Sequence, residues 1–274
     1  MTTTPDAIIR TESLCRNFGD MIALNGVSIA IPEQATTVIM GGSGSGKTTL
    51  LRLISGLDRP NSGCVWFDGS NLAEISRRQL FTLRMKMGMV FQYSALLNSL
   101  NVEENIAFPL HEHSKLTDSV IHTIVTMKLE QVGLRGFEQL MPSELSGGMA
   151  KRAAFARALA MDPKVVFFDE PTSGLDPISA GVITTLIQSL TELTRMTSVV
   201  VTHDVHAGLS IADHVILMWQ GEVIAAGSPD SIRGSDDARI QQFIEGRADG
   251  PIPFSRSNTN YLDDLLNPRP TVAA

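Results

Sequence analysis

The stretch GGSGSGKTT, residues 41 to 49, constrains this chain more than any other. It follows the apolar, β-branched run TTVIM (36 to 40) and opens a helical pattern over 47 to 56. From Gly41 to Thr48 it fits G-x-x-x-x-G-K-[ST], which between a strand and a helix makes a phosphate-binding loop. Gly41, Gly42, Gly44 and Gly46, with Ser43 and Ser45 between them, let successive backbone N–H groups curl round phosphate oxygens. The helix start adds the positive end of its dipole. Lys47 is placed to reach the β and γ phosphates of a nucleotide, the Thr48 hydroxyl to coordinate Mg²⁺, and Thr49 counts with them among the ligand-binding residues.

Such a loop needs a sheet to stand on. The strand candidates VSIAI (27 to 31), TTVIM, VVFF (165 to 168) and SVVVT (198 to 202) alternate with helical patterns at 47 to 56 and 177 to 194. That alternation predicts an α/β fold with a mainly parallel sheet. LMWQGEVIAAG (217 to 227) turns at Gln220 and Gly221, as a hairpin on the sheet edge does. From about 93 to 160 the pattern is helical only, which predicts a helical subdomain inserted into the core. Asn101 and Glu104 have the spacing of a capping box, and Gly133 and Gly136 suit helix-ending loops. The expected domain spans 7 to 245, and residues 246 to 274, rich in Pro, Asn and Ser, form a tail. Within the tail, Tyr261, Leu262, Leu265 and Leu266 fall at spacings that share one face of a short helix, so the tail is either a tethered docking segment or a disordered end with a few apolar residues.

Composition narrows the setting. The 43% hydrophobic content fills a sizeable core, and the longest apolar runs, such as HVILMW, fall far short of a membrane span. MTTTPDAIIRTES lacks a basic region followed by an apolar stretch, so a cytoplasmic location is expected. Cys15 and Cys64 lack metal-ligand spacing and suit a reducing compartment. A net charge of −7 argues against a protein that coats nucleic acid.

Around the loop, VVFFDE places two carboxylates at the end of a buried strand, where a parallel sheet opens its ligand crevice. Asp169 suits the shell of Mg²⁺ and Glu170 suits activation of an attacking water; only the company of a phosphate loop turns this acidic pair from an ordinary strand-end turn into a catalytic one. His203, in VVTHD, emerges after another strand and can hold the water and the γ-phosphate. Gln92, in MVFQ, lies where core meets insert and can sense the γ-phosphate or Mg²⁺. Phe18 is either a core aromatic or a stacking partner for a base, and position alone favours the core.

LSGGM at 145 to 149 opens a helix with Ser146, Gly147 and Gly148, a second anion-binding start in a chain that already has one. A head-to-tail dimer reconciles the two: Ser146, Gly147 and Gly148 of one copy close over the nucleotide of the other. Arg152 and Arg157, on the same helix, are expected in supporting or salt-bridging roles.

The phosphate loop, Gln92, LSGGM, VVFFDE, SGLD (173 to 176) and His203 stand in one order over about residues 7 to 245, and in this the chain resembles the ATP-binding cassette ATPases. The resemblance implies ATP and Mg²⁺ as ligands, Phe18 as the adenine-stacking residue and Asp176 as a contact between two active sites. It also implies a helical insert that receives a coupling helix from a membrane partner. Met149 departs from the family's usual glutamine, so contacts to the neighbour's ATP rest on Ser146 and the backbone. Met149 with AKRAAFARALA, NVEENIAFPLHEH, TIVTMKLEQVGLRG and DGPIPF is similar to the ATP-binding subunits of MCE-type (Mla) phospholipid transporters of Gram-negative envelopes. That likeness implies a homodimer of ATPase subunits on the cytoplasmic face of the inner membrane. It further implies an integral membrane permease, a periplasmic MCE lipid-binding protein and a small cytoplasmic STAS-domain regulator as partners; a docking tail would grip the regulator or the neighbouring subunit. Rival readings are an ATPase serving another cargo (amino acid, peptide or lipoprotein), a soluble cassette protein of DNA repair or translation, and a P-loop kinase. LSGGM opposes the kinase, and the lack of paired cassettes, zinc or basic insertions opposes the nucleic-acid clamp.

Overall fold

The computed structural model describes residues 7–252. Within them, Thr36–Gly41 (β4) is buried at every position, as is Thr197–Thr202 (β9), and Val165–Asp169 (β8) is buried except at its last residue. Strands covered on both faces read as unbroken apolar and β-branched runs, which is why these three were visible in the sequence. They form the middle of a six-stranded sheet in the order β11-β10-β4-β9-β8-β7, completed by Met87–Val90 (β7), His214–Trp219 (β10) and Glu222–Gly227 (β11). All neighbours are parallel except the β10–β11 hairpin at the edge. The parallel register brings Gly41, Met218, Thr202 and Asp169 to the same end of the sheet.

A second, antiparallel sheet is built from Ala7–Phe18 (β1), Met21–Val27 (β2), Ala30–Pro32 (β3), Ser62–Phe67 (β5) and Ser70–Asn71 (β6). The expected strand VSIAI is therefore two strands. At the break the buried Thr11 hydroxyl donates to Val27 O (2.9 Å) and accepts from Ile29 N (3.0 Å), replacing ladder bonds where the chain leaves one strand for the next. Helix Lys47–Ile54 (α1) lies between the sheets, and Leu50, Leu51, Leu53 and Ile54 join Phe67, Val165, Phe167 and Ile216 in one core. A short helix, Arg77–Arg84 (α2), leads into β7 and is capped by Ser76 and Gln79.

Three helices follow β7: Val102–His113 (α3), Asp118–Gln131 (α4) and Gly147–Leu159 (α5). Asn101 and Glu104 close the capping box expected of them, and Gly133 takes a positive φ just beyond α4. The helix α5 packs against α3 and α4 and also against β7 and against Pro177–Thr194 (α6), so it belongs to the insert and the core together. Val205–Ile211 (α7) returns across β4 and β9; the first compact unit ends at Ile232, within the short helix Pro229–Arg233 (α8). The second unit holds Ala238–Glu245 (α9), which Asp237 caps and Gly246 ends in a left-handed turn; Gln242 there bonds both the N–H and the carbonyl of Ile252. The docking face expected at Tyr261, Leu262, Leu265 and Leu266 lies outside the described residues.

Candidate active site

The loop between β4 and α1 turns on glycines that no other residue replaces at equal cost. Gly41 (φ 156°), Gly44 (φ 75°) and Gly46 (φ 98°) all take backbone angles that L side chains avoid. A Cβ on Gly41 would come within 2.3 Å of Met218 O, and one on Gly46 within 2.5 Å of Ala23 O. Gly42 leaves room for the Trp219 ring, which a Cβ would meet at 3.3 Å. Because Gly46 is the N-cap of α1 and supplies no side chain, the first N–H groups of the helix remain available to a ligand.

Lys47 is buried, and its ammonium folds back to donate to Gly41 O (2.9 Å) and Gly42 O (3.0 Å). Burial lowers its pKa, opposed by the charges of Glu170 and Asp169. The cation is held by two neutral carbonyls, which a phosphate can outcompete.

Asp169, at the end of β8, sits across from this lysine. Burial, then repulsion from Glu170, raises its pKa against the neighbouring Thr48 hydroxyl and the charges of Lys47 and Lys151. Its Oδ1 is buried without a hydrogen-bond partner, as is Ser45 Oγ in the loop. An orphaned carboxylate oxygen beside a threonine hydroxyl is a donor set for a hard cation, so Thr48 and Asp169 fit Mg²⁺.

Glu170 lies one residue beyond the strand at φ 48°, a left-handed conformation that is costly for glutamate. Its N–H donates to Val201 O (2.9 Å), and its Oε2 bonds His203 Nδ1 at 2.9 Å. Gln92, just past β7, donates from Nε2 to Ser173 Oγ at 3.4 Å. The structure thus brings Lys47, Thr48, Asp169 and Glu170 close enough at the sheet end to feel one another's charge or dipole, joins His203 to Glu170 by a hydrogen bond, and lets Gln92 reach the group through Ser173.

Ser146 is apart from them: it caps α5 by accepting from Met149 N at 3.3 Å, and among the described residues no hydrogen bond joins Ser146–Met149 to the phosphate loop. Gly147 and Gly148 form the first turn of α5, packed loosely beside Leu175 and Ser179. Asp176 caps α6, accepting from Ile178 N and Ser179 N at 3.0 Å each; the Ser179 hydroxyl and then its N–H hold the carboxyl below its ordinary value.

Three points differ from the sequence reading or extend it. Phe18, at the end of β1, is 46% exposed, which overturns the core reading that position favours; the Arg16 guanidinium lies 4.8 Å from its ring centroid and covers that side. Arg152 and Arg157 make no salt bridge among the described residues but donate to carbonyls, Arg152 to Val132 and Gly133 and Arg157 to Ser94 and Ala95. Those carbonyls end a helix and a tight turn, where a fork of donors does more than a charge. Lys151, which carried no sequence signal, holds the main chain of Gln92 and Glu170, and Ser173, the first residue of SGLD, donates from its N–H to Glu170 O and accepts from Gln92 Nε2.

Comparison with known proteins gives the family of the chain. The family described as ABC transporter matches residues 24–173. The intermembrane phospholipid transport system ATP-binding protein MlaF of Escherichia coli (strain K12) is 48% identical over 248 residues, 90% of this chain and 92% of that protein. Among solved structures, cbiO1 from Clostridium perfringens, part of an ABC transporter complex, superposes with a TM-score of 0.78 at 33% identity, covering 84% of this chain and 92% of that one. A dimeric ATP-binding cassette in a post-hydrolysis state, bound to ADP and Pi, superposes with a TM-score of 0.74 at 31% identity, covering 81% and 98%.

Proposed function

The chain belongs to the ABC transporter ATPases, and from that premise we propose that it hydrolyses ATP to power phospholipid movement through an inner-membrane permease of the MCE (Mla) type. The observation that carries the hydrolytic part is the gathering of Lys47, Asp169 and Glu170 at the end of a parallel sheet with Glu170 bonded to His203, while a second helix start, capped by Ser146, has no hydrogen bond to the phosphate loop. One chain therefore supplies half of each site. In a head-to-tail homodimer, the N–H groups of Gly41 to Thr49 cradle the phosphates of one ATP, Lys47 leaves its two carbonyls for the β and γ oxygens, and Phe18 stacks on the adenine. Ser146, Gly147 and Gly148 of the other copy close over the γ-phosphate, with Met149 adding bulk and Asp176 lying near the junction of the two sites.

Mg²⁺ bound by Thr48, Asp169 and Gln92 would neutralise charge on the phosphate oxygens. Glu170 accepts a proton from the attacking water. His203 can donate both to Glu170 and to a γ-phosphate oxygen only when both ring nitrogens carry protons, so it holds base, water and phosphate in line in that state.

No helix among the described residues is long and apolar enough to cross a membrane, so the cargo path belongs to a partner. A groove of about 470 Å³ between β7, α3 and α5, lined by Met85, Phe91, Leu97, Phe108 and Met161, supports a permease helix seated at the junction of core and insert. The complete assembly in this reading sits on the cytoplasmic face of a Gram-negative inner membrane with the permease, a periplasmic MCE lipid-binding protein and a STAS-domain regulator. The test is to purify the full-length chain from detergent-extracted membranes and identify what accompanies it. A permease carrying bound phospholipid is expected; a permease carrying amino acids or peptides, or nucleic acid in place of any permease, contradicts the assignment.

A further inference from the structure

The helix α5 begins at the Ser146 turn and ends in the core, and two adjacent residues on it point to different bodies. Arg152 donates to Val132 O and Gly133 O at the end of α4 and so ties α5 to the insert. Lys151 is 4% exposed and turns the other way. A buried ammonium ordinarily finds a carboxylate partner. This one donates instead to two main-chain carbonyls, those of Gln92 and Glu170, the latter at 3.4 Å.

Those carbonyls belong to a closed ring of contacts. Ser173 N donates to Glu170 O at 3.1 Å, and Gln92 Nε2 donates to Ser173 Oγ at 3.4 Å, so Lys151 joins two loops that already touch through Ser173. Glu170 is the member with most to lose, since its left-handed φ of 48° persists only where surrounding contacts hold it. Its N–H is fixed by Val201 O, its carboxylate by His203, and its carbonyl by Ser173 and Lys151.

We infer that Lys151 is a positioning residue that fastens the helix carrying Ser146 to the main chain of Gln92 and Glu170, so that engagement of the neighbouring copy's ATP at the start of α5 reaches the hydrolytic loops of its own chain. The inference rests on the ATPase reading above. Lys151 touches neither ATP nor water in this scheme; it acts through the two loops.

The test compares full-length wild type with Lys151→Met, which keeps length and removes the donors, and Lys151→Gln, which restores neutral N–H donors. Three quantities are read: affinity for a fluorescent ATP analogue without Mg²⁺, steady-state kcat and KM for ATP with Mg²⁺, and the thermal midpoint. Losing hydrogen bonds from a charged donor should lower kcat of Lys151→Met by about tenfold to a hundredfold while analogue affinity stays within about threefold, with Lys151→Gln recovering most of the loss. In a Gln92→Ala background the same Lys151→Met change should cost less, because one of the loops it positions has lost its side chain. The inference is overturned by a folded Lys151→Met with kcat within about twofold of wild type, and equally by kcat and affinity falling in step with the thermal midpoint without recovery in Lys151→Gln, the pattern of a purely structural lysine. Wild type that hydrolyses no ATP removes the ATPase reading and this inference together, whereas active wild type beside an indifferent variant removes this inference alone.

Discussion

Gly46 and Gly44 make a matched pair for testing the phosphate loop. Both have positive φ, 98° and 75°, so alanine at either meets the left-handed penalty of roughly 1–2 kcal/mol. They differ in what a methyl group would strike. At Gly44 no atom lies within 4 Å of the added carbon; at Gly46 it would come within 2.5 Å of Ala23 O and 2.7 Å of Leu24 Cδ2, both on β2. Ala23 O is main chain, so relief requires β2 or the start of α1 to move, at the roughly 1–3 kcal/mol typical of overpacking. Gly46→Ala should therefore lose about 1–3 kcal/mol more stability than Gly44→Ala, read as the difference in urea midpoints at equal slope. A displaced start of α1 also misaims its N–H groups, so Gly46→Ala should bind a fluorescent ATP analogue at least about tenfold more weakly than wild type. Equal stability losses for the two variants would refute the steric argument and leave only the backbone angle.

Lys47→Ala should remove most ATP binding or hydrolysis, because among the described residues no other ammonium caps the Gly41 and Gly42 carbonyls; near-normal turnover in the purified complex would defeat the assignment. Ser146→Arg should abolish hydrolysis yet leave ATP bound to the same chain, since Ser146 has no bond to the loop it would serve across the dimer; loss of ATP binding by this variant alone contradicts that arrangement. Asp68 is bonded by Lys86 at 2.7 Å and Lys164 at 3.0 Å, and these, Lys86 foremost, hold its carboxyl below its ordinary value. Its contribution, at most about 2 kcal/mol for two partly exposed pairs, is complete above the unfolded value and lost as pH falls through the lowered folded one. Asp68→Asn should thus flatten that part of the stability loss below about pH 4 in acid unfolding.

What the sequence disclosed followed from strong local rules. The glycines of the phosphate loop, the Asn101–Glu104 box, the hairpin at Gln220–Gly221 and the span of α6 from Pro177 to Thr194 each rest on backbone geometry or capping chemistry that few residues satisfy, and each is found where it was expected. The antiparallel sheet was not legible. β1 is AIIRTESLCRNF, with shifts in register against both β2 and β5, so its burial follows no period of two. β7 has only four residues and reads as part of whatever flanks it. Phe18 was misplaced by position because an aromatic residue at a strand end reads as core, whereas here the ring is exposed with the Arg16 guanidinium over one side. Lys151 was invisible for a different reason: a lysine in an alanine-rich helix normally faces water, and only the packing of α5 against both β7 and α6 buries this one beside the loops of Gln92 and Glu170.

The most direct test of the composite site is Glu170→Gln, followed by ATP turnover and by sedimentation with and without ATP. The account predicts that the variant binds ATP with near-wild-type affinity, hydrolyses it about 10² to 10⁴ times more slowly, and accumulates as an ATP-dependent dimer. ATP affinity as poor as that of Lys47→Ala, or turnover at the wild-type rate, would show that Glu170 is not the base and would contradict the site as built here.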